Sequence, residues 1–362
     1  MDADRLRGWS AAAASVARDF LPWRMSGARA VDEVSCLAAV LLAIAGAHGL
    51  GIGNVGWAAF SAFIVIRGTF AETAWRGALR VAGTVAGVTL AWLLAPVLLG
   101  STVLLSLALA VVGGATLYLC VVDRRGYGWL LVGLSFAMVL VDGMQDSSVA
   151  LAAFAKARLA EVCVGTAAAV LVSAVSALLT RRAVPLVAAP ALQFWHKPAC
   201  LHALQGALAL ALIPWVWSAW HIKALSQSSI TIMAVMMVPA VELATSDSPA
   251  ATRLRHRFFG CCIGGLLATG ILLLSHASPV IMTLAACLGV AAGRHIENAG
   301  HGVEYVGTQL ALAFLVVLVP DNYASVDAAT GLQRLFGIVI GMVLLEVVRR
   351  FLKTKRGKIP GP

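Results

Sequence analysis

Long apolar stretches follow one another along this chain, with only short polar gaps between them. A helix needs about 20 mainly apolar residues to cross a bilayer, and such stretches recur from Val31 to near the C-terminus. The pattern predicts twelve membrane helices, at residues 31–50, 54–70, 78–98, 102–121, 128–142, 156–179, 202–220, 224–241, 255–275, 278–293, 302–319 and 331–351. We therefore expect an all-α, polytopic integral membrane protein with six helices in each half.

The predicted helices divide the 362 residues into two membrane repeats and three flanking segments. The first six-helix repeat is expected at 31–180 and the second at 202–351, joined by a short cytoplasmic linker at 181–201. An arm at 1–30 carries five arginines among apolar residues and lacks a signal-peptide pattern, so we expect it in the cytoplasm. A basic cytoplasmic tail is expected at 352–362.

The two halves resemble each other in sequence. Residues 76–87 (RGALRVAGTVAG) align with 253–264 (RLRHRFFGCCIG) at a constant offset of 177, which pairs Arg76 with Arg253, Arg80 with Arg257, Gly83 with Gly260 and Gly87 with Gly264. Two further anchors keep nearly this spacing: 158–165 aligns with 334–341, and 128–133 with 302–307. Because six is an even number of helices, both halves begin on the same side of the membrane. We therefore predict parallel repeats whose interface is the natural place for a transport pathway.

Composition and charge agree with a membrane protein. The chain is 60% hydrophobic and only 12% charged, whereas an ordinary soluble domain carries about 25% charged residues. The net charge of +10 does not indicate nucleic acid, because the basic residues lie at the ends of apolar stretches. With the N-terminus inside, 23 of the 27 Lys and Arg residues fall on the cytoplasmic side. This asymmetry predicts that both termini are cytoplasmic.

Motifs for catalysis or metal binding are missing from the sequence. There is no GxxxxGK[ST] phosphate-binding loop, no HExxH and no CxxC among the seven cysteines. The cysteines lie mostly in apolar stretches and are interpreted as small hydrophobic residues. We expect no enzymatic activity, no cofactor and no metal.

Several short motifs point to a known family. They are GWAAFSAFIVIRG around Trp57, the Arg80–Gly87 pattern R-x-x-G-T-x-x-G, and, in the second half, HALQGALALAL (202–212), ALSQSSITIMAVMMVP (224–239) and HRFFGCCIGG (256–265). Together they resemble the fusaric acid resistance family, which includes the bacterial aromatic acid exporters. The resemblance implies efflux of aromatic or other organic carboxylic acids across the bacterial inner membrane. Our own hypothesis is that the proton gradient drives this efflux. It also implies, for some members, a periplasmic adaptor subunit as partner.

Alternatives to an exporter remain open on sequence grounds. A more distant resemblance to plant malate-permeable anion channels implies a passive channel, with two six-helix bundles flanking one arginine-lined pore. A membrane assembly component that transports nothing is a third hypothesis. Many relatives carry a large cytoplasmic domain between the halves, but only about residues 180–201 intervene here. The sequence does not decide whether the chain forms a homodimer.

Charged and polar residues inside the predicted helices are the candidate substrate path, because such residues are costly in a membrane and tend to be functional. The path residues are Arg80, Arg257, Arg158, Arg334, Gln227 and Ser228. A guanidinium suits a carboxylate substrate because it stays charged and matches the planar carboxylate. The alternative is that the arginines reach the membrane interfaces and the polar residues only join helices.

Two glutamates are candidates for proton coupling. Glu161 lies three residues after Arg158 and so on the same helix face, where a local ion pair is the alternative. Glu304 begins a predicted helix in the second half. A third set of positions is expected to serve close helix packing, since small residues let backbones approach: Gly83, Gly87, Gly260, Gly264, Gly337 and Gly341.

Overall fold

The computed structural model describes residues 27–146, 151–180, 197–239, 242–243, 249–276, 278–321 and 328–352. These residues contain no β-strand and form thirteen α-helices of eight residues or more. They are α1 Gly27–Gly49, α2 Val55–Val65, α3 Phe70–Leu98, α4 Thr102–Val122, α5 Gly126–Gln145, α6 Leu151–Thr180, α7 Lys197–Ala211, α8 Ile213–Trp220, α9 Ser226–Met236, α10 Pro249–Leu274, α11 Pro279–Glu297, α12 Glu304–Leu318 and α13 Ala328–Phe351. Most of the predicted arm, linker and tail lies outside the described residues.

The all-α membrane class is confirmed, and each predicted helix has a counterpart. One prediction, a single helix at 202–220, is wrong in detail: the helix breaks at Leu212, because Pro214 lacks the N–H that would continue the hydrogen-bond ladder. Counting α7 and α8 together, nine described helices are long and apolar enough to cross a membrane. The predicted number of twelve spans is not confirmed, because three apolar helices are short.

Two of the short helices, α2 and α9, have only 11 residues each. At 1.5 Å per residue they are about 16 Å long, roughly half of a 30 Å hydrocarbon core. The third, α12, has 15 residues. The sequence predicted longer helices at 54–70 and 224–241, because apolar residues continue beyond the helical part.

The described helices belong to two compact units, and each unit draws on both halves of the sequence. Unit one comprises residues 1–86, 150–189 and 252–335. In it α1, α2 and α6 pack on one another, α11 packs on α12, and this second pair contacts α1 and α2. Its core is aliphatic and aromatic, with Phe63, Ile66 and Leu315 fully enclosed.

Unit two comprises residues 87–149, 190–251 and 336–362. Here α4 packs on α5 and α7, and α9 packs on α5 and α7. The contact between α4 and α7 is tight, because Gly113 faces Leu210 and Gly206 faces Leu117.

The glycines of the predicted packing set lie at close helix contacts. A Cβ on Gly264 would come within 2.8 Å of the Leu310 carbonyl oxygen. A Cβ on Gly341 would come within 2.7 Å of the Ser228 carbonyl oxygen. Similar contacts with backbone oxygen atoms surround three more, Gly87, Gly260 and Gly337. Gly83 is buried in α3.

Candidate functional site

The short helix α2 is held at both ends by polar side chains from other elements of unit one. It follows Asn54, whose backbone is left-handed (φ 54°) and whose side-chain amide donates to Glu161 Oε1 at 3.0 Å. The first helical N–H, that of Val55, donates to Asp321 at 2.9 Å. At the other end, Arg76 Nε donates to the carbonyl oxygen of Ile64 at 3.0 Å. The last two contacts satisfy backbone groups that a helix end leaves unpaired.

Two of the predicted arginines contact this helix through its aromatic side chains. The guanidinium carbon of Arg158 lies 3.9 Å from the centre of the Trp57 ring, and that of Arg80 lies 5.7 Å from the centre of the Phe60 ring. The two rings are neighbours, with centroids 5.0 Å apart. Arg80 also donates to Ser61 Oγ at 3.0 Å. We call these five residues the α2 site.

The α2 site combines buried cations with partly accessible rings. Arg80 is 4% exposed and Arg158 is 5% exposed, whereas Trp57 and Phe60 are half-buried. Neither arginine therefore lies on the surface, where a headgroup-directed arginine would be. Arg158 is also bonded to the carboxylate of Glu161, at 2.9 Å, so the local ion pair considered from the sequence does form.

The second-half arginines contact α12 instead. Arg257, 4% exposed, donates to the side-chain oxygen of Gln309 at 2.6 Å, and Cys261 lies 3.7 Å from the same oxygen. Among the described residues Arg257 forms no ion pair. Arg334 is half-buried and donates to the Val316 carbonyl oxygen at 3.3 Å. Of the four predicted path arginines, the two in the first half therefore contact α2, and the two in the second half contact α12.

The remaining candidates lie elsewhere. Ser228, fully buried on α9 in unit two, donates to the Gly337 carbonyl oxygen at 2.7 Å, and the neighbouring Gln227 also faces Gly337. These contacts join α9 to α13. Glu304 accepts a hydrogen bond from the backbone N–H of Gly302 at 2.8 Å, in the loop before α12.

Sequence reasoning missed a charged network between α1 and α11 in unit one. Arg294 donates twice to the carboxylate of Asp32, at 2.7 and 2.8 Å. His295 Nδ1 lies 2.9 Å from Glu33 Oε1, and Arg29 bonds the same carboxylate oxygen at 3.0 Å. The partners are separated by 262 residues, so no local spacing reveals them. The available signal was three charged residues on one face of the first helix.

Comparison with known proteins supports the family resemblance over the first half. Residues 38–172 match the model of the fusaric acid resistance protein-like family. The matched segment includes the whole α2 site. No curated protein and no solved structure matches the chain.

Proposed function

From the similarity of residues 38–172 to the fusaric acid resistance proteins, we propose that this membrane protein exports aromatic carboxylic acids. The observation that carries the proposal is the α2 site, where two buried guanidinium groups flank a pair of neighbouring aromatic rings. A substrate with a carboxylate and an aromatic ring matches both features. Its carboxylate would bind a guanidinium, and its ring would stack on Trp57 or Phe60.

Glu161 supplies a way to couple this binding to protons. It is 1% exposed and forms an ion pair with Arg158. Protonation of Glu161 would remove its negative charge and free Arg158 for the substrate carboxylate. Arg158 then pairs with one or the other anion, so that proton binding at Glu161 and substrate binding at Arg158 are linked.

The short helices support the predicted two-repeat architecture. Paired short segments at corresponding positions of two halves point to a binding site in transporters. α2 and α9 have equal length and occupy such positions. Each also ends on a basic side chain: Arg76 bonds the end of α2, and His202 lies 2.6 Å from the Met236 carbonyl oxygen at the end of α9.

Helix packing is consistent with the same repeat. The pairs α1–α2, α2–α6 and α11–α12 in unit one correspond to α7–α9, α9–α13 and α4–α5 in unit two. With both termini cytoplasmic, as the basic residues predict, α2 would begin near the outer face of a bacterial inner membrane. An adaptor subunit and a homodimer remain proposals without a structural argument.

A passive anion channel is the second candidate. Arg257 favours it, because this buried cation has a neutral partner, Gln309, and within the described part of the chain no carboxylate to exchange for an anion. A row of such cations would conduct anions without coupling their movement to protons.

Transport by purified protein in liposomes tests the proposal. Benzoate should accumulate against its gradient when a pH gradient is imposed, above the accumulation in protein-free liposomes, whereas a channel would only dissipate the benzoate gradient. Cyclohexanecarboxylate has the same charge without the aromatic ring, and we expect it to be transported more slowly.

Variants of the site sharpen this experiment. Arg80→Gln should abolish benzoate transport, whereas Arg350→Gln, at a side chain 76% exposed, should leave it unchanged. The double variant Arg158→Gln/Arg334→Gln should also lose transport. Wild-type flux in Arg80→Gln would show that the α2 site does not bind substrate.

A further inference from the structure

The network between α1 and α11 lies where first-half and second-half helices meet within unit one. Arg294 is 3% exposed and binds Asp32 through two hydrogen bonds, which makes a strong bidentate pair. Glu297 accepts from Arg294 at 3.1 Å and from Arg67 at 3.2 Å. Ionisable groups within membrane helices are costly and usually serve a function.

Glu33 and His295 form the centre of this network. Glu33 is 4% exposed and the His295 side chain is 0% exposed. One oxygen of Glu33 accepts from Arg29 and faces His295, but the other, Oε2, is buried and has no hydrogen-bond partner among the described residues. A buried acceptor without a donor is unfavourable, and a proton on it removes the charge.

Among the described residues, the charged side chains of this network balance when Glu33 is counted with them. Three arginines face three carboxylates: Arg29, Arg67 and Arg294, with Asp32, Glu33 and Glu297. The other helices packed on α1 and α11 add neutral groups, namely Ser176 of α6 bonded to Ser35, and Gly307 of α12. The thiol of Cys36 is buried beside them. With a neutral imidazole the network has no net charge, and one further proton makes it +1.

Close packing of these helices does not require charge. By the repeat, the contact of α1 with α11 corresponds to that of α7 with α4 in unit two. That contact is made by Gly113, Leu117, Gly206 and Leu210, all apolar. The charged form of the contact therefore has a role beyond holding the helices together.

We propose that Glu33 and His295 form a proton-binding site through which the transported proton reaches the cytoplasm. The inference rests on the proposed function, in which Glu161 takes up that proton near the outer face. The pair binds one proton, shared between the Glu33 carboxylate and the imidazole, and releases it at the cytoplasmic end of α1. Exposure rises along the network from His295 at 0% to Glu297 at 18% and Arg67 at 27%, which provides a route to water.

Two neutral substitutions test the site by transport. Glu33→Gln and His295→Gln should each lose benzoate accumulation driven by a pH gradient, while benzoate–benzoate exchange, which moves no net proton, continues. Glu346→Gln is the matched control, since Glu346 also pairs with arginines but is 33% exposed at the end of α13, and it should keep both activities. Accumulation at the wild-type level in either pair variant would overturn the inference.

Direct proton counting gives a second, independent measurement. Between pH 8 and pH 5, where histidine ordinarily changes charge, wild-type protein in detergent should take up one proton more than Glu33→Gln/His295→Gln. Equal uptake by a folded double variant would refute the site whatever transport shows. If wild-type protein does not accumulate benzoate but the difference in uptake is present, the proposed function fails and the proton site stands. Should one single variant not fold, the other still decides the transport test.

Discussion

Two buried arginines in different surroundings should respond in opposite ways to the same substitution. Arg158 has an acidic partner, Glu161, at 2.9 Å, whereas Arg257 donates to a neutral partner, Gln309, at 2.6 Å. Methionine removes the charge and keeps much of the side-chain volume at either position. Both residues are 5% exposed or less, so solvent screens neither strongly.

The expected magnitudes follow from what each substitution leaves behind. Arg158→Met leaves the Glu161 carboxylate buried without its cation, which costs about 3–5 kcal/mol of unfolding free energy. Arg257→Met removes a desolvated cation whose burial costs several kcal/mol. It also leaves Gln309 short of a donor, at about 1–3 kcal/mol. Arg257→Met should therefore be neutral or stabilising, and the two variants should differ by about 3 kcal/mol or more.

Denaturant unfolding in detergent, without substrate, measures this difference. A further measurement separates stability from binding: benzoate at about 100 times its Kd should stabilise wild-type protein by about 2.7 kcal/mol, and Arg257→Met by less. If Arg257→Met destabilises the protein as much as Arg158→Met, Arg257 is a structural residue and its place on an anion path is wrong.

The remaining predictions concern packing and pH. Gly165→Ala should destabilise the protein by about 1–3 kcal/mol, because the added Cβ would meet the Ala58 carbonyl oxygen and lie 2.6 Å from Ser61 Cβ. Gly270→Ala, with nothing within 4 Å of its Cβ, should instead stabilise by about 0.5–1 kcal/mol; thermal unfolding that does not separate the two would contradict the packing. In the loop after α4, the backbone N–H of Arg125 (2.9 Å) and then the Trp129 indole (2.8 Å) lower the pKa of Asp123. A lowered pKa stabilises the fold above the ordinary value near 4 and loses that effect as pH falls through the folded value. Asp123→Asn should therefore unfold at a lower temperature than wild type at pH 7, with the gap closing in acid; a gap independent of pH would refute the assignment.

The sequence predicts the positions of helices whose residues are mostly apolar, because such residues favour burial in lipid. The start of α3 shows the limit: the apolar pattern predicts a helix from residue 78, but the structure begins it at Phe70. Glu72, Thr73 and Arg76 interrupt the extra two turns, so these turns extend the apolar pattern only weakly. Their start has its own signal, because the backbone N–H of Glu72 donates to Thr69 Oγ1 at 3.3 Å, as at a helix N-cap, and the Thr69 hydroxyl donates to Glu72 Oε2 at 3.2 Å.

The candidate site was predictable where contacts are local. Arg158 and Glu161 are three residues apart on one helix, so helical spacing alone predicts that they can pair. The stacking of Arg158 on Trp57 depends on how α6 meets α2, which periodicity does not specify. The pairing of Glu33 with His295 depends on a meeting of the first and eleventh helices, which only the tertiary fold defines.

The long separation between partners in the α1–α11 network has a consequence for biogenesis. Chains are made at about 5–20 residues per second, so the 262 residues between Asp32 and Arg294 take roughly 10–50 s to synthesise. During that interval Asp32 of the nascent first helix lacks its partner Arg294, and Glu33 has Arg29 but not His295. The early helices therefore enter the membrane before unit one can reach its final packing. That packing forms only after α11 has been synthesised and inserted.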